Sequence, residues 1–120
     1  MSIEAEVIYH LVASEDWERA RREPRYAAPS LETEGFLHAS ASLDQLLWVA
    51  NRLFREVASA SVLVIERRRV EAEVRDEMAG AAGPFPHIYG PLNTSAVLEV
   101  RRLARDGAGT FIGFEGVRRM

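Results

Sequence analysis

Apolar residues follow two different periods along this chain, and the points where one gives way to the other divide it into elements. Residues 5–12 (AEVIYHLV) form a short apolar run with β-branched and aromatic members, which predicts a strand. Ser14 then reads as an N-cap, with Glu15 and Asp16 in a first turn where carboxylates favour the helix dipole. That helix carries Trp17 and Ala20 inward and ends before Pro24. Residues 24–30, including Tyr26 and Pro29, read as a loop, and residues 35–40 (GFLHAS) as a second extended segment.

The clearest helix follows. Ser42-Leu43-Asp44-Gln45 is a capping box, in which Ser42 and Gln45 satisfy each other's free backbone donors. Leu43, Leu46, Leu47, Ala50, Leu53 and Phe54 then recur at helical spacing as one apolar stripe. Trp48 falls about 140° from Leu43 on the helical wheel, so it is expected to be exposed, to cover another segment, or to join two chains. Asn51 lies on the flank of the stripe.

Periodicity then changes to that of strands. Residues 62–66 are continuously apolar, as in a central strand covered on both faces. Residues 70–77 alternate Val70, Ala72 and Val74 with Glu71, Glu73 and Arg75, which suits a half-exposed strand. Residues 79–86 (AGAAGPFP) are a loop. Ile88-Tyr89 and residues 95–103 are the next strands, and Asp106-Gly107 turns the chain into a last strand near residues 111–114. Two helices ahead of several hairpin-like strands predict an α+β fold, with the helices packed on a twisted, mainly antiparallel sheet. No repeat or linker divides residues 1–120, so a single domain is expected.

Composition narrows the chemistry. Hydrophobic residues make up 48% and charged residues 28%, ordinary globular proportions. The chain has no cysteine, which excludes disulfides, thiolate nucleophiles and cysteine-ligated metal. All 15 basic residues are arginine, so lysine Schiff-base chemistry is excluded as well. A net charge of −3 supplies no general attraction for nucleic acid, although an RNA end remains a conceivable ligand. Apolar runs are too short to cross a bilayer and no signal-peptide pattern opens the chain, so a cytoplasmic protein without a membrane partner is expected.

The candidate site centres on three histidines, His10, His38 and His87, each inside a short segment dense in aromatic, glycine or proline residues. Imidazole donates and accepts hydrogen bonds, titrates near neutrality and ligates metals. If the strand edges carrying them meet, the three side chains converge on one cleft. None has a second ligand at the close spacing typical of zinc sites, so no metal is expected. Tyr9 and Tyr89 are placed to stack on a ring, and Asn51 to reach a ligand held by the preceding strand. Glu66 and Glu77 end their strands, where each is either a general base, a ribose ligand or a salt-bridge partner.

The series Ile8-Tyr9-His10, Glu34-Gly35-Phe36-Leu37-His38-Ala39-Ser40, Ala50-Asn51-Arg52 and Phe85-Pro86-His87-Ile88-Tyr89-Gly90-Pro91-Leu92 resembles the small bacterial proteins of domain-of-unknown-function family 952. Members of that family are distantly similar to the ADP-ribosyltransferase-like fold. The resemblance implies a pocket for NAD or a related nucleotide, with His10 on a ribose hydroxyl, His38 and Tyr9 lining the ring pocket and Asn51 supporting its wall. The late-strand glutamate common to active transferases is missing, since His87-Ile88-Tyr89-Gly90 stands at the comparable place. This leaves ribosyl or phosphate transfer as the implied chemistry, with His10, His38 and His87 as its catalytic residues and Tyr9, Asn51 and Tyr89 as ligand contacts. The alternative is a non-enzymatic module that holds a small ligand or a partner chain.

Overall fold

The computed structural model describes residues 6–116. Ala5, Arg118 and Arg119 lie outside them. Nine strands, three α-helices and two 3-10 turns follow one another in the described chain, and every strand pairing is antiparallel. The expected α+β class and mainly antiparallel character are therefore both present.

β4 (Ala60–Glu66) is the continuously apolar strand of the sequence, and it lies where such a strand must, between two others. The four-stranded sheet runs β1 (Val7–Ala13), β4, β8 (Val97–Arg105), β9 (Phe111–Phe114). Alternate side chains of β4 enter two separate cores, as the two-residue period of a strand requires. Leu63 and Ile65 join Ile8, Val12, Trp17, Leu37 and Ile88 on one face. Ala60 and Val62 join Leu11, Leu46, Ala50, Leu103 and Phe111 on the other, beneath α3 (Leu43–Leu53).

A second sheet of three strands runs β3 (Leu37–His38), β6 (Phe85–Tyr89), β5 (Glu73–Glu77). It meets the first along the outer edge of β1, where Tyr9 and Ser40 exchange backbone hydrogen bonds of 2.8 and 2.7 Å. The expectation of one sheet is thus corrected to two main sheets joined at a seam. A two-stranded ribbon of β2 (Arg25–Tyr26) and β7 (Leu92–Asn93) completes the pairing.

Several local expectations change. Ser14 is not the cap of α1 (Ser14–Ala20): Ala13 holds that position, because β1 runs straight into the helix. The Ser14 hydroxyl instead meets Ser59 Oγ at 2.8 Å and Ser61 Oγ at 2.7 Å. Tyr26 lies in a strand and not in a loop, and a short third helix, α2 (Ser30–Glu34), follows it. The alternating segment at residues 70–77 is paired only from Glu73 onward, and β6 begins at Phe85, inside the expected loop.

The capping box of α3 forms one residue out of step. Ser42 Oγ accepts from the Gln45 N–H at 3.2 Å, but Gln45 Oε1 accepts from the Ala41 N–H at 2.8 Å. Gln45 Nε2 donates to the carbonyls of Ala82 and Pro84, both at 2.8 Å, so the same side chain anchors the loop before β6. The apolar stripe is narrower than expected: Leu46 and Ala50 are fully buried, whereas Leu53 is 74% exposed. No helix among the described residues is long and apolar enough to cross a membrane.

Candidate functional site

The seam between the two sheets opens into a cavity of about 480 Å³. β1 is the edge strand there. Tyr9 spends its backbone N–H and carbonyl on Ser40, and strand alternation turns the same groups of Leu11 toward that edge, where no strand of the described residues pairs with them. Aromatic side chains from four elements surround the space: Tyr9, Tyr26, Trp48 and Phe85, with His87 beside them. Trp48, whose environment the helical wheel left open, packs on Phe85 with ring centroids 6.1 Å apart and carries Arg52 over its ring at 4.6 Å.

All three histidines line this cavity, but in different conditions. His10 is enclosed. Its Nδ1 lies 2.5 Å from the His38 carbonyl, which can only accept, so the proton is on Nδ1. Its Nε2 is then an acceptor and takes the Tyr26 hydroxyl proton at 3.1 Å. Burial lowers the His10 pKa to about 4 and raises that of Tyr26 to about 12, so both groups stay neutral over the physiological range. With both ring nitrogens engaged, His10 has no hydrogen bond left to give a ribose hydroxyl, which corrects the role the resemblance implied for it.

His38 and His87 face each other across the β3–β6 register, with ring centroids 5.4 Å apart. His38 is exposed, and its Nε2 pairs with Glu34 Oε2 at 2.8 Å. His87 is buried. Its Nδ1 donates to Glu77 Oε1 at 2.9 Å, and Phe36 lies stacked on its ring at 4.0 Å and 18°. Its Nε2 is buried without a hydrogen-bond partner among the described residues. The same Glu77 oxygen accepts the Tyr89 hydroxyl, and these bonds from Tyr89 and His87 hold the Glu77 carboxyl below its ordinary range.

Tyr89 and Asn51 are off the cavity wall. Arg75 stands over the Tyr89 ring at 4.5 Å, and the tyrosine reaches the site through Glu77 and through Phe36, whose ring centroid lies 5.3 Å from its own. Asn51 grips β9: its Nδ2 donates to the Phe111 carbonyl at 3.0 Å and its Oδ1 accepts the Phe111 N–H at 2.7 Å. Both amide groups are therefore committed to the sheet. Glu66 pairs with Arg69 and takes no part in the site. Among the described residues, no three histidine, aspartate or glutamate side chains gather in a way that could hold a metal ion.

Tyr26, Trp48 and Phe36 were not assigned to the site from the sequence. Tyr26 carried no signal because its strand is two residues long and Tyr26 itself pairs with Leu92, 66 positions later in the chain. The Trp48 position on the wheel was the one available clue. Glu77 was marked by its place at a strand end, but only pairing between β5 and β6 brings it to His87.

The geometry can be set beside known proteins. The X-ray crystal structure of CC0527 from Caulobacter crescentus is similar, with a TM-score of 0.78 and 27% identity, over 88% of this chain and 93% of that one. The solution NMR structure of CC0527 gives a TM-score of 0.73 and 27% identity, over 87% and 90% of the two chains. No curated protein matches the chain. Residues 11–100 match the family described as "Protein of unknown function (DUF952)", and the chain belongs to that family.

Proposed function

We propose that the seam cavity binds the ring end of a small nucleotide-like ligand, with NAD the leading candidate. The observation that carries this reading is an aromatic-walled cavity laid along an unpaired strand edge. Flat rings gain dispersion and quadrupole contacts from Tyr9, Tyr26, Trp48 and Phe85. A carboxamide on such a ring finds the free N–H and carbonyl of Leu11, which offer one donor and one acceptor in the spacing of a strand partner. The ligand's phosphates would stay outside, because none of the arginines among the described residues lines the cavity. Arg52, exposed and stacked on Trp48, and Arg19, paired with Asp16, are cations tied to the wall from outside. The resemblance of the sequence motifs around His10 and residues 35–40 to the ADP-ribosyltransferase-like group implies the same choice of ligand.

Ring binding stands ahead of ribosyl or phosphate transfer. His10 has no nitrogen free to act, and the wall lacks a cation to steady a departing phosphate. His87, with its unpaired Nε2, keeps a transfer reaction as the second reading. Titration with NAD, ADP-ribose, adenosine and nicotinamide, followed by Trp48 fluorescence and calorimetry, tests the proposal. NAD should quench Trp48 more than ADP-ribose does, and Val57→Trp, which fills the cavity from its wall, should abolish the response. Silence toward every one of these compounds, or a response that survives Val57→Trp, would overturn it. Release of free nicotinamide from NAD on prolonged incubation would promote the transfer reading.

A further inference from the structure

Main-chain groups at the edge of a sheet need partners, and the two main sheets have four edge strands, β1, β9, β3 and β5. Three of these are accounted for. β5 is guarded by charge, with Glu73, Arg75, Asp76 and Glu77 around the single apolar Val74. β9 is capped by a side chain: the Asn51 amide takes the N–H and the carbonyl of Phe111 as a neighbouring strand would. β3 leads into Ser40, which pairs with Tyr9. The chain then turns away into α3, and β1 continues alone. Leu11 presents its N–H and carbonyl at an uncharged edge, and no side chain of the described residues caps them as Asn51 caps Phe111.

The cavity follows that edge. Every residue of β1 from Tyr9 to Ala13 lines it, whereas a hollow over one face of a sheet would meet only alternate residues. Over this distance the strand advances about 13 Å. Phe85 stands at the Tyr9 end, because the Ala39 N–H bonds to the neighbouring Pro86 carbonyl. Val57 stands at the other end, just ahead of Ala60, the partner of Ala13. Apolar walls flank the edge on both sides. Val49 and Phe54 of the α3 side share a cluster with Leu11, and Tyr26 and Ala28 share one with Val12. An open slot along a strand edge, apolar above and below, has the form left when one strand is taken out of a covered sheet.

We infer that the slot receives an extended peptide segment of a partner protein, which adds to β1 as an antiparallel strand. The residue opposite Leu11 exchanges both main-chain hydrogen bonds with it. Alternation sends that residue's side chain to the α3 wall and those of its two neighbours toward Tyr26 and Ala28. All three positions are uncharged and apolar. No arginine of the described residues lines the slot, and its one carboxylate residue, Asp16, is paired with Arg19, so a charged side chain would lose its hydration without gaining a partner. Trp48 and Leu53, both exposed on the α3 side, carry the apolar surface beyond the slot for the flanking residues. This inference goes beyond the ring-binding reading. A ring carboxamide and a strand claim the same Leu11 groups and exclude each other.

The probes are acetylated and amidated pentapeptides, Thr-Val-X-Val-Thr, with valine, leucine or phenylalanine at X. The full chain, labelled with 15N, is titrated with each while Trp48 fluorescence reports affinity. Binding should slow hydrogen exchange at the Leu11 amide and leave the His10 and Val12 amides, which face β4, nearly unchanged. Methylating the amide nitrogen of X removes the donor to the Leu11 carbonyl and should weaken the best peptide about ten-fold. Leu11→Pro removes the outward N–H while sparing the bonds from β1 to β4, and should weaken it by a similar factor. A folding defect in that variant leaves the methylated-peptide comparison, made on the unaltered chain, intact. No binding of any peptide at millimolar concentration, equal binding after methylation, or unchanged Leu11 exchange at saturation would overturn the inference. NAD should displace the peptide, and joint occupancy would overturn the assignment to Leu11. NAD binding without peptide binding strikes the strand and keeps the ring. Peptide binding with no response to NAD does the reverse.

Discussion

The hydroxyl of Tyr26 lies 3.1 Å from Nε2 of His10, and the two rings meet edge to face with centroids 5.4 Å apart. The pair is closed behind by the His38 carbonyl on Nδ1 and by Trp17, whose ring lies 5.8 Å from that of Tyr26. It joins β1, β2 and β3, three elements that share no continuous sheet.

A pH dependence of stability follows. His10 titrates near 6.5 when unfolded and at about 4 in the fold, chiefly because burial disfavours the imidazolium. Between those values the unfolded chain binds a proton that the folded chain does not. Stability therefore falls as the pH drops from 6.5, and the loss is complete below 4, at roughly 3 kcal/mol. His10→Gln retains a donor and an acceptor but cannot titrate. Urea unfolding at pH 7 and pH 4 should show the wild type losing more stability than the variant by about that amount; parallel losses would dismiss His10 as the titrating group.

Removing the hydroxyl alone isolates the other partner. Tyr26→Phe keeps the ring contact with Trp17 and leaves His10 Nε2 as a buried acceptor without a donor. The expected cost is about 1–3 kcal/mol at pH 7, measured by urea unfolding. The His10 nitrogen resonance should shift in the same variant.

Asn51 should behave as part of the frame. Asn51→Ala removes both hydrogen bonds to the Phe111 backbone and is expected to cost about 2 kcal/mol. Hydrogen exchange should accelerate at the Phe111 amide in particular. Ligand affinity measured on the folded variant should stay within two-fold or so of the wild type, since the side chain does not reach the cavity. A large loss of affinity would return Asn51 to the site.

The two tryptophans provide an independent check on the geometry. Trp17 is buried at 6% exposure and Trp48 is 39% exposed. Acrylamide should quench one of the two emitters readily, and Trp48→Phe should remove that accessible component and most of any ligand response.

Gln45 couples α3 to the loop that precedes His87. Gln45→Ala frees the Ala41 N–H and the carbonyls of Ala82 and Pro84, at a stability cost of about 1 kcal/mol. Faster hydrogen exchange across residues 79–86 would locate the effect in the loop.

Local pattern carried much of the architecture. Continuous apolarity placed β4 at the centre, helical spacing located α3, and alternation at Val74 and its charged neighbours marked a half-exposed strand. These features are legible because burial on one face or two leaves a period in the sequence. Two-residue strands such as β2 and β3 leave none, and a hydroxyl such as that of Ser14 looks like a cap until its partners, 45 and 47 residues away, are known. Phe-Pro-His-Ile-Tyr-Gly-Pro-Leu and its companion segments marked the family and the three histidines.

Residue identity could not say which imidazole would be spent and which left available. His10 and His87 are both buried strand histidines, at 5% and 4% exposure. One lost its capacity because a carbonyl and a hydroxyl arrived at its two nitrogens from β3 and β2. The other kept a lone pair because β5 supplied a carboxylate to one nitrogen and nothing in the described chain reached the second. A hydrogen bond is a contact of about 3 Å, and at that range strand register and the meeting of two sheets, not order along the chain, choose the partners.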